Sequence, residues 1–150
     1  MTRLIDGRVT LSADQVRGRL LEEVRAGREH GVQYWPVFLL QTQGHVGCCG
    51  LRSHDEEGGI LEIGVHIRSE QWGQGYATEA MSAVIAYAFD TLGMSALFAD
   101  HNPSNRASRA LLVKLGFTYT HDEFYEPTGL HHPSYLLTAA DYTSGKSVAA

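Results

Sequence analysis

A turn with two glycines constrains this chain more than any other stretch. In Trp72-Gly73-Gln74-Gly75-Tyr76-Ala77-Thr78-Glu79-Ala80, Gly73 and Gly75 strip side chains from the link between an alternating segment, Ile60–Ile67, and a helical repeat, Ala77–Leu92. Backbone N–H groups in such a bend can close on an anion. The helix that opens there adds its unpaired first-turn N–H groups and the positive end of its dipole. The local pattern requires a strand, a bend and a helix in that order, and it points to a ligand that carries phosphate.

The flanking sequence fits one mixed α/β domain over residues 1–142, with a small polar tail over 143–150 that is expected to fray. Ser12-Ala13-Asp14-Gln15 is a capping box. Val16, Leu20, Leu21 and Val24 then form the apolar stripe of an amphipathic helix that ends near Gly31. Gln33–Gln41 and His45–Arg52 read as strands joined at Gln43-Gly44, and Pro36 marks a sheet edge or a bulge. After a polar loop, Ser53–Gly59, the residues Leu61, Ile63, Val65 and Ile67 alternate with Glu62, Gly64 and His66. The helix after the glycine turn stops at Gly93. Met94–Asp100 is a short strand, parallel to the Leu61 strand because a helix connects the two. Asn102-Pro103-Ser104-Asn105 caps a helix over Arg106–Leu115. Phe117–Tyr125 and Ser134–Ala139 are the last strands, joined by a loop over Glu126–Pro133. Together these elements make one mixed sheet with helices on its faces.

Composition removes several classes of function. Apolar residues make up 43% and charged residues 19%, as in an ordinary globular domain. No apolar run is long enough to cross a membrane and the first residues lack a secretory core, so the chain reads as cytoplasmic. Cys48 and Cys49 are neighbours on a strand and point to opposite faces, as two reduced thiols would. The net charge of −5 disfavours nucleic acid and mildly favours a cationic partner.

Two common phosphate motifs fit the glycine turn poorly. A Walker-type loop needs Lys and Ser or Thr after its last glycine, where this chain has Tyr76-Ala77. The dinucleotide fingerprint would use Asp100 as its ribose acid. However, its third small position falls on Thr78, and five residues separate Ile67 from Gly73.

The turn does resemble the acetyl-CoA pyrophosphate loop of the GNAT N-acetyltransferase superfamily. The Trp at 72 is similar to the branch that acetylates ribosomal-protein N-termini. Two further blocks carry the same resemblance: Glu62-Ile63-Gly64-Val65, and Asn102-Pro103-x-Asn105-x-x-Ser108 followed by Leu112-x-Lys114-Leu115-Gly116-Phe117. The resemblance implies a mostly antiparallel sheet splayed at one parallel strand pair. Its usual first strand is either shortened to Leu4–Thr10 or missing. A missing strand would expose the Tyr34–Leu40 edge and favour a homodimer contact there.

The resemblance also implies direct acetyl transfer from acetyl-CoA to a primary amine, on a protein N-terminus or a small cation. The pyrophosphate would sit on the N–H groups of Gln74, Gly75, Tyr76, Ala77 and Thr78, with Trp72 and Gly73 completing the loop. The pantetheine arm would lie along Val65, His66 and Ile67, with an N–H near Val65 or His66 steadying charge on the thioester oxygen. Asn105 would bond the pantetheine, and Ser108 would ease departure of the thiolate, because Leu112 stands where many members carry Tyr. An attacking Lys-like amine costs about 4–5 kcal/mol to deprotonate at pH 7, an α-amine about 1 kcal/mol, so a side-chain amine needs a base. Glu62 is the first candidate and His66 the alternative. Tyr125, His131 and His132 would border the acceptor; Tyr34 and Trp35 either line the same cleft or, as aromatic side chains more often do, pack in the core. With His121, Asp122 and Glu123, the histidines match no zinc spacing, and no metal is expected. The rival reading is an acyl-CoA-binding module without catalysis.

Overall fold

The computed structural model describes residues 11–149. The Leu4–Thr10 segment lies outside them. Helix α1 (Ala13–His30) opens on the expected capping box, with Ser12 and Gln15 bonded to each other's backbone N–H. It closes at Gly31, in a left-handed conformation with φ 72°. Then come β1 (Tyr34–Phe38), β2 (His45–Asp55), β3 (Ile60–Ile67), a 3₁₀ turn (Ser69–Gln71) and α2 (Tyr76–Ala86), which runs on into a π-helical turn (Tyr87–Thr91). The chain ends with β4 (Ala96–Asp100), α3 (Arg106–Lys114), β5 (Thr118–Tyr125), β6 (Leu130–Thr138) and α4 (Ala139–Ala149).

Among the described residues six strands form one sheet in the order β1-β2-β3-β4-β6-β5. The β3–β4 pair is parallel and the other pairs are antiparallel. Register assigns every side chain to a face, because successive residues point to opposite sides. One face carries Cys49, Leu51, Leu61, Ile63, Leu97, Ala99, Tyr135 and Leu137, which pack with Met81, Ile85, Ala88, Leu112 and Phe117 in a single core. α2 and α3 cover that face. The other face carries a polar row: Tyr34 opposite Gly50, Arg52 opposite Glu62, Cys48 opposite His66, and Asp100 opposite Ser134.

The parallel seam is short. β3 and β4 pair only through Ile60–Glu62 with Ala96–Phe98. Beyond it β3 stays with β2 as far as Ile67, and β4 stays with β6 as far as Asp100. The sheet therefore forks between Ile63–Ile67 and Ala99–Asp100.

Three elements differ from expectation. The loop expected over Glu126–Pro133 is a tight turn, and β6 already starts at Leu130. Pro133 does not break this strand, because it lies beyond the end of β4, where one flank of β6 is unpaired. The segment from Thr143, expected to fray, continues α4. Tyr142 stacks on Phe89, and Lys146 Nζ lies 2.8 Å from Asp90. The apolar stripe of α1 is not buried: Val16, Leu20, Leu21 and Val24 are 43–65% exposed. Glu23 is what ties α1 to the sheet, accepting from Tyr34 N–H at 2.7 Å and pairing with Arg52 at 2.7 Å.

Candidate functional site

The bend between β3 and α2 has the backbone that its glycines suggest. Gly73 and Gly75 adopt φ 75° and 83°, in the left-handed region, and a Cβ at either position would meet nothing within 4 Å. The space in front of the turn is open. No side chain caps α2, whose first helical bond runs from Glu79 N–H to Gly75 O. The N–H groups of Tyr76, Ala77 and Thr78 thus have no intrahelical acceptor. Gln71, Gln74 and Tyr76 bond one another through their side chains. Trp72 donates its indole N–H to Ile67 O at 2.8 Å and so fixes the loop to the end of β3.

Strand alternation determines which backbone groups line the fork. Arg68 N–H donates to Val46 O on β2. Peptide groups alternate in direction along a strand, so His66 and Gly64 also turn their N–H groups to β2. Ile67, Val65 and Ile63 turn theirs into the gap. Of the two expected oxyanion donors, Val65 has its N–H in the fork and His66 does not.

The side chains of Glu62 and His66 occupy the polar face beside the fork. Burial pushes the Glu62 carboxyl above the usual carboxylate range, and the Asp100 charge adds to the effect, while Arg52 and His54 oppose it. Burial holds His66 below the usual imidazole range, with Arg52 acting in the same direction. The Tyr34 ring stacks on His66 at 5.7 Å, and the Arg52 guanidinium sits 4.5 Å above the Tyr34 ring. Burial and the Glu62 charge both raise the Tyr34 phenol. Tyr34 is therefore a wall of this face. Trp35, on the opposite face, packs against the core.

On the other bank, Asn105 caps α3 by accepting from Ser108 N–H at 3.1 Å. Leu112 is only 4% exposed and belongs to the core. Ser108 lies one turn before it on the same face of the helix. The histidines of β6 are separated by the pleat. His132 is 3% exposed and faces Asp100, whereas His131 lies on the opposite side, exposed against Phe124. They do not form a joint site. Tyr125 tilts over His132 at 4.7 Å. His121 and Glu123 are exposed on β5, the edge strand beyond β6. Among the described residues no three His, Cys, Asp or Glu side chains gather as metal ligands.

Sequence reasoning missed Arg52, Asp100 and Thr128 as neighbours of the site. Arg52 and Asp100 entered the sequence reading only as strand ends, and Asp100 also as the ribose acid of a dinucleotide fingerprint that fits poorly. Asp100 and Thr128 are brought in by tertiary pairing.

The family model for the acetyltransferase (GNAT) domain matches residues 1–118. The uncharacterized N-acetyltransferase p20 of Bacillus licheniformis is 35% identical over 81 residues, which are 54% of this chain and 46% of that protein. The chain thus spans about half the length of the curated relatives it matches. Among solved structures, a proposed ribosomal-protein-serine acetyltransferase from Vibrio cholerae superposes with a TM-score of 0.75 at 21% identity, covering 85% of this chain and 76% of its own. A spermidine N-acetyltransferase from the same organism gives a TM-score of 0.75 at 14% identity, covering 94% and 83%. At these identities the two structures speak for the fold alone.

Proposed function

The chain belongs to the acetyltransferase (GNAT) domain family, and from that membership we propose that it moves an acetyl group from acetyl-CoA to a primary amine by direct transfer. The observation that carries the proposal is the uncapped start of α2 behind Gly73 and Gly75, at the end of the β3 strand that lines the fork. Free N–H groups, a positive helix end and open space fit a diphosphate. When bound, acetyl-CoA supplies an activated acyl group on a thiol leaving group.

The residues then divide the work. Gln74 to Thr78 hold the diphosphate through their backbone. Val65 offers its N–H to the charge that develops on the thioester oxygen, in a gap between strands that fixes its direction. Glu62 takes the proton from the incoming amine, because a carboxyl raised toward neutral pH is a better-matched base than an ordinary one. His66, held below its usual range, stays neutral and packs on Tyr34 as support for that base. Ser108 donates a hydrogen bond to the departing sulfur, and Asn105 bonds the arm that leads to it.

Thiol release from acetyl-CoA with a panel of amines tests the proposal. Amine-dependent release supports it. CoA binding without release under every amine favours the acyl-CoA-binding module, which the burial of Leu112 at the position of the usual Tyr supports. A homodimer through β1 belongs to the same proposal. β1 ends the sheet among the described residues, and Phe38 and Leu40 are exposed beside it. Sedimentation of the chain at micromolar concentration checks that contact.

A further inference from the structure

Asp100 has no role in the steps above, yet it lies on the same polar face. It is the last residue of β4, two positions beyond Phe98, which pairs with Glu62 across the parallel seam. Its carboxylate therefore stands on the same face as Glu62 but on the opposite bank of the fork. It is close enough for its charge to be the second cause of the raised Glu62 carboxyl.

Two buried polar atoms flank Asp100 without hydrogen-bond partners. His132 Nδ1 lies 3.3 Å from Asp100 Oδ2, within ion-pair reach but out of hydrogen-bond line. Ser134 sits directly across the ladder from Asp100, is 0% exposed, and leaves its Oγ unpaired. The other imidazole nitrogen of His132 lies 2.9 Å from Thr128 Oγ1, which locks the ring toward the carboxylate. A carboxylate flanked in this way by polar atoms that do not hydrogen-bond to it, with 30% of its side chain still exposed, keeps its acceptor capacity for a cation from outside.

That cation cannot be the reacting amine. An amine attacks only after losing its proton, so a second side chain that held its ammonium form would oppose the reaction. We propose that Asp100, positioned by His132 and Thr128, binds a second positive charge of the acceptor, an ammonium or guanidinium a few bonds from the amine that Glu62 deprotonates. This assignment rests on the acetyl-transfer reading and names the acceptor class: amines that carry another cationic group. His132 and Thr128 are positioning residues.

Three four-carbon amines of different charge read Asp100 directly: butane-1,4-diamine, butylamine and 4-aminobutanoate. The wild-type protein is expected to favour the diamine over butylamine by at least about tenfold in kcat/KM, mostly through KM, as expected for a charged hydrogen bond. 4-Aminobutanoate should be the poorest. Asp100→Asn is expected to remove the preference while CoA affinity stays unchanged. Asp100→Asn that keeps the preference overturns the proposal. His132→Gln and Thr128→Val are expected to weaken the preference in part at unchanged CoA affinity, and variants that leave it intact overturn their positioning role. If the wild-type protein releases no thiol with any amine, the acetyl-transfer reading fails by itself. Calorimetry of butane-1,4-diamine with the CoA-loaded protein then decides on Asp100. Heat lost in Asp100→Asn supports the site, and equal heats, or none in either protein, refute it.

Discussion

Replacement of Gly75 separates backbone strain from anion binding, because the fold contains a matched control. Gly75 has φ 83° and Gly129, in the β5–β6 turn, has φ 67°; a Cβ at either meets nothing within 4 Å. Substitution by Ala at either site should cost only the left-handed strain, about 1–2 kcal/mol. For a chain of this size that lowers the melting midpoint by about 2–8 °C. The two sites differ in what lies in front of them. At Gly75 a side chain enters the space before the free N–H groups of α2, and at Gly129 it enters solvent. Gly75→Glu adds a negative charge where the helix end favours an anion, and it should also displace the diphosphate from its N–H donors. Loss of charge-assisted hydrogen bonds worth about 1.5–3 kcal/mol raises the CoA dissociation constant by about 10- to 150-fold. Calorimetry with CoA and thermal unfolding without it measure both quantities. Gly129→Glu should melt lower but bind CoA as the wild type does. If Gly75→Glu binds CoA as tightly as Gly129→Glu, the glycine bend is not the diphosphate site.

Ser108→Ala should slow turnover several-fold with CoA affinity nearly intact, measured by thiol release beside calorimetry; lost affinity at unchanged turnover would contradict its role. Glu62→Gln should depress kcat most for side-chain amines and least for peptide α-amines, which need less help to lose a proton. In the wild type the rate should fall as pH drops through the raised Glu62 value, because the protonated carboxyl accepts no proton, and that acid limb should lie above the ordinary carboxylate range. Asp100→Asn should move the limb to lower pH, since it removes a neighbouring negative charge. Leu97→Ala, at a fully buried β4 position, should cost about 2–5 kcal/mol in denaturant unfolding.

What could be read from the sequence was whatever is encoded locally. The capping box at Ser12, the alternation of β3 and the glycine bend each arise from residues within one turn or strand, and all three appear in the fold. The loop expected over 126–133 was lost because Pro133 looks like a breaker until β4 is known to stop at Asp100. The stripe of α1 is present, but no other part of the described chain covers it, and periodicity cannot tell what will pack on a helix. Within the site, the motif stretches marked the loop and α3. Asp100, His132 and Thr128 meet only through β4–β6 pairing and the β5–β6 turn, contacts with no local trace.

A seam only three residue pairs long leaves this protein as two ladders hinged side by side. β1-β2-β3 forms one and β4-β6-β5 the other, joined only by the seam and leaving the fork-facing N–H groups of β3 open. A wedge driven between them breaks no rung of either, so admitting a guest costs little order already won. The carboxylate on each rim belongs to a different ladder. On the proposed reading, the distance between Glu62, at the last rung of the seam, and Asp100, two residues past that rung on the other ladder, sets the spacing of the two charges in an amine that fits.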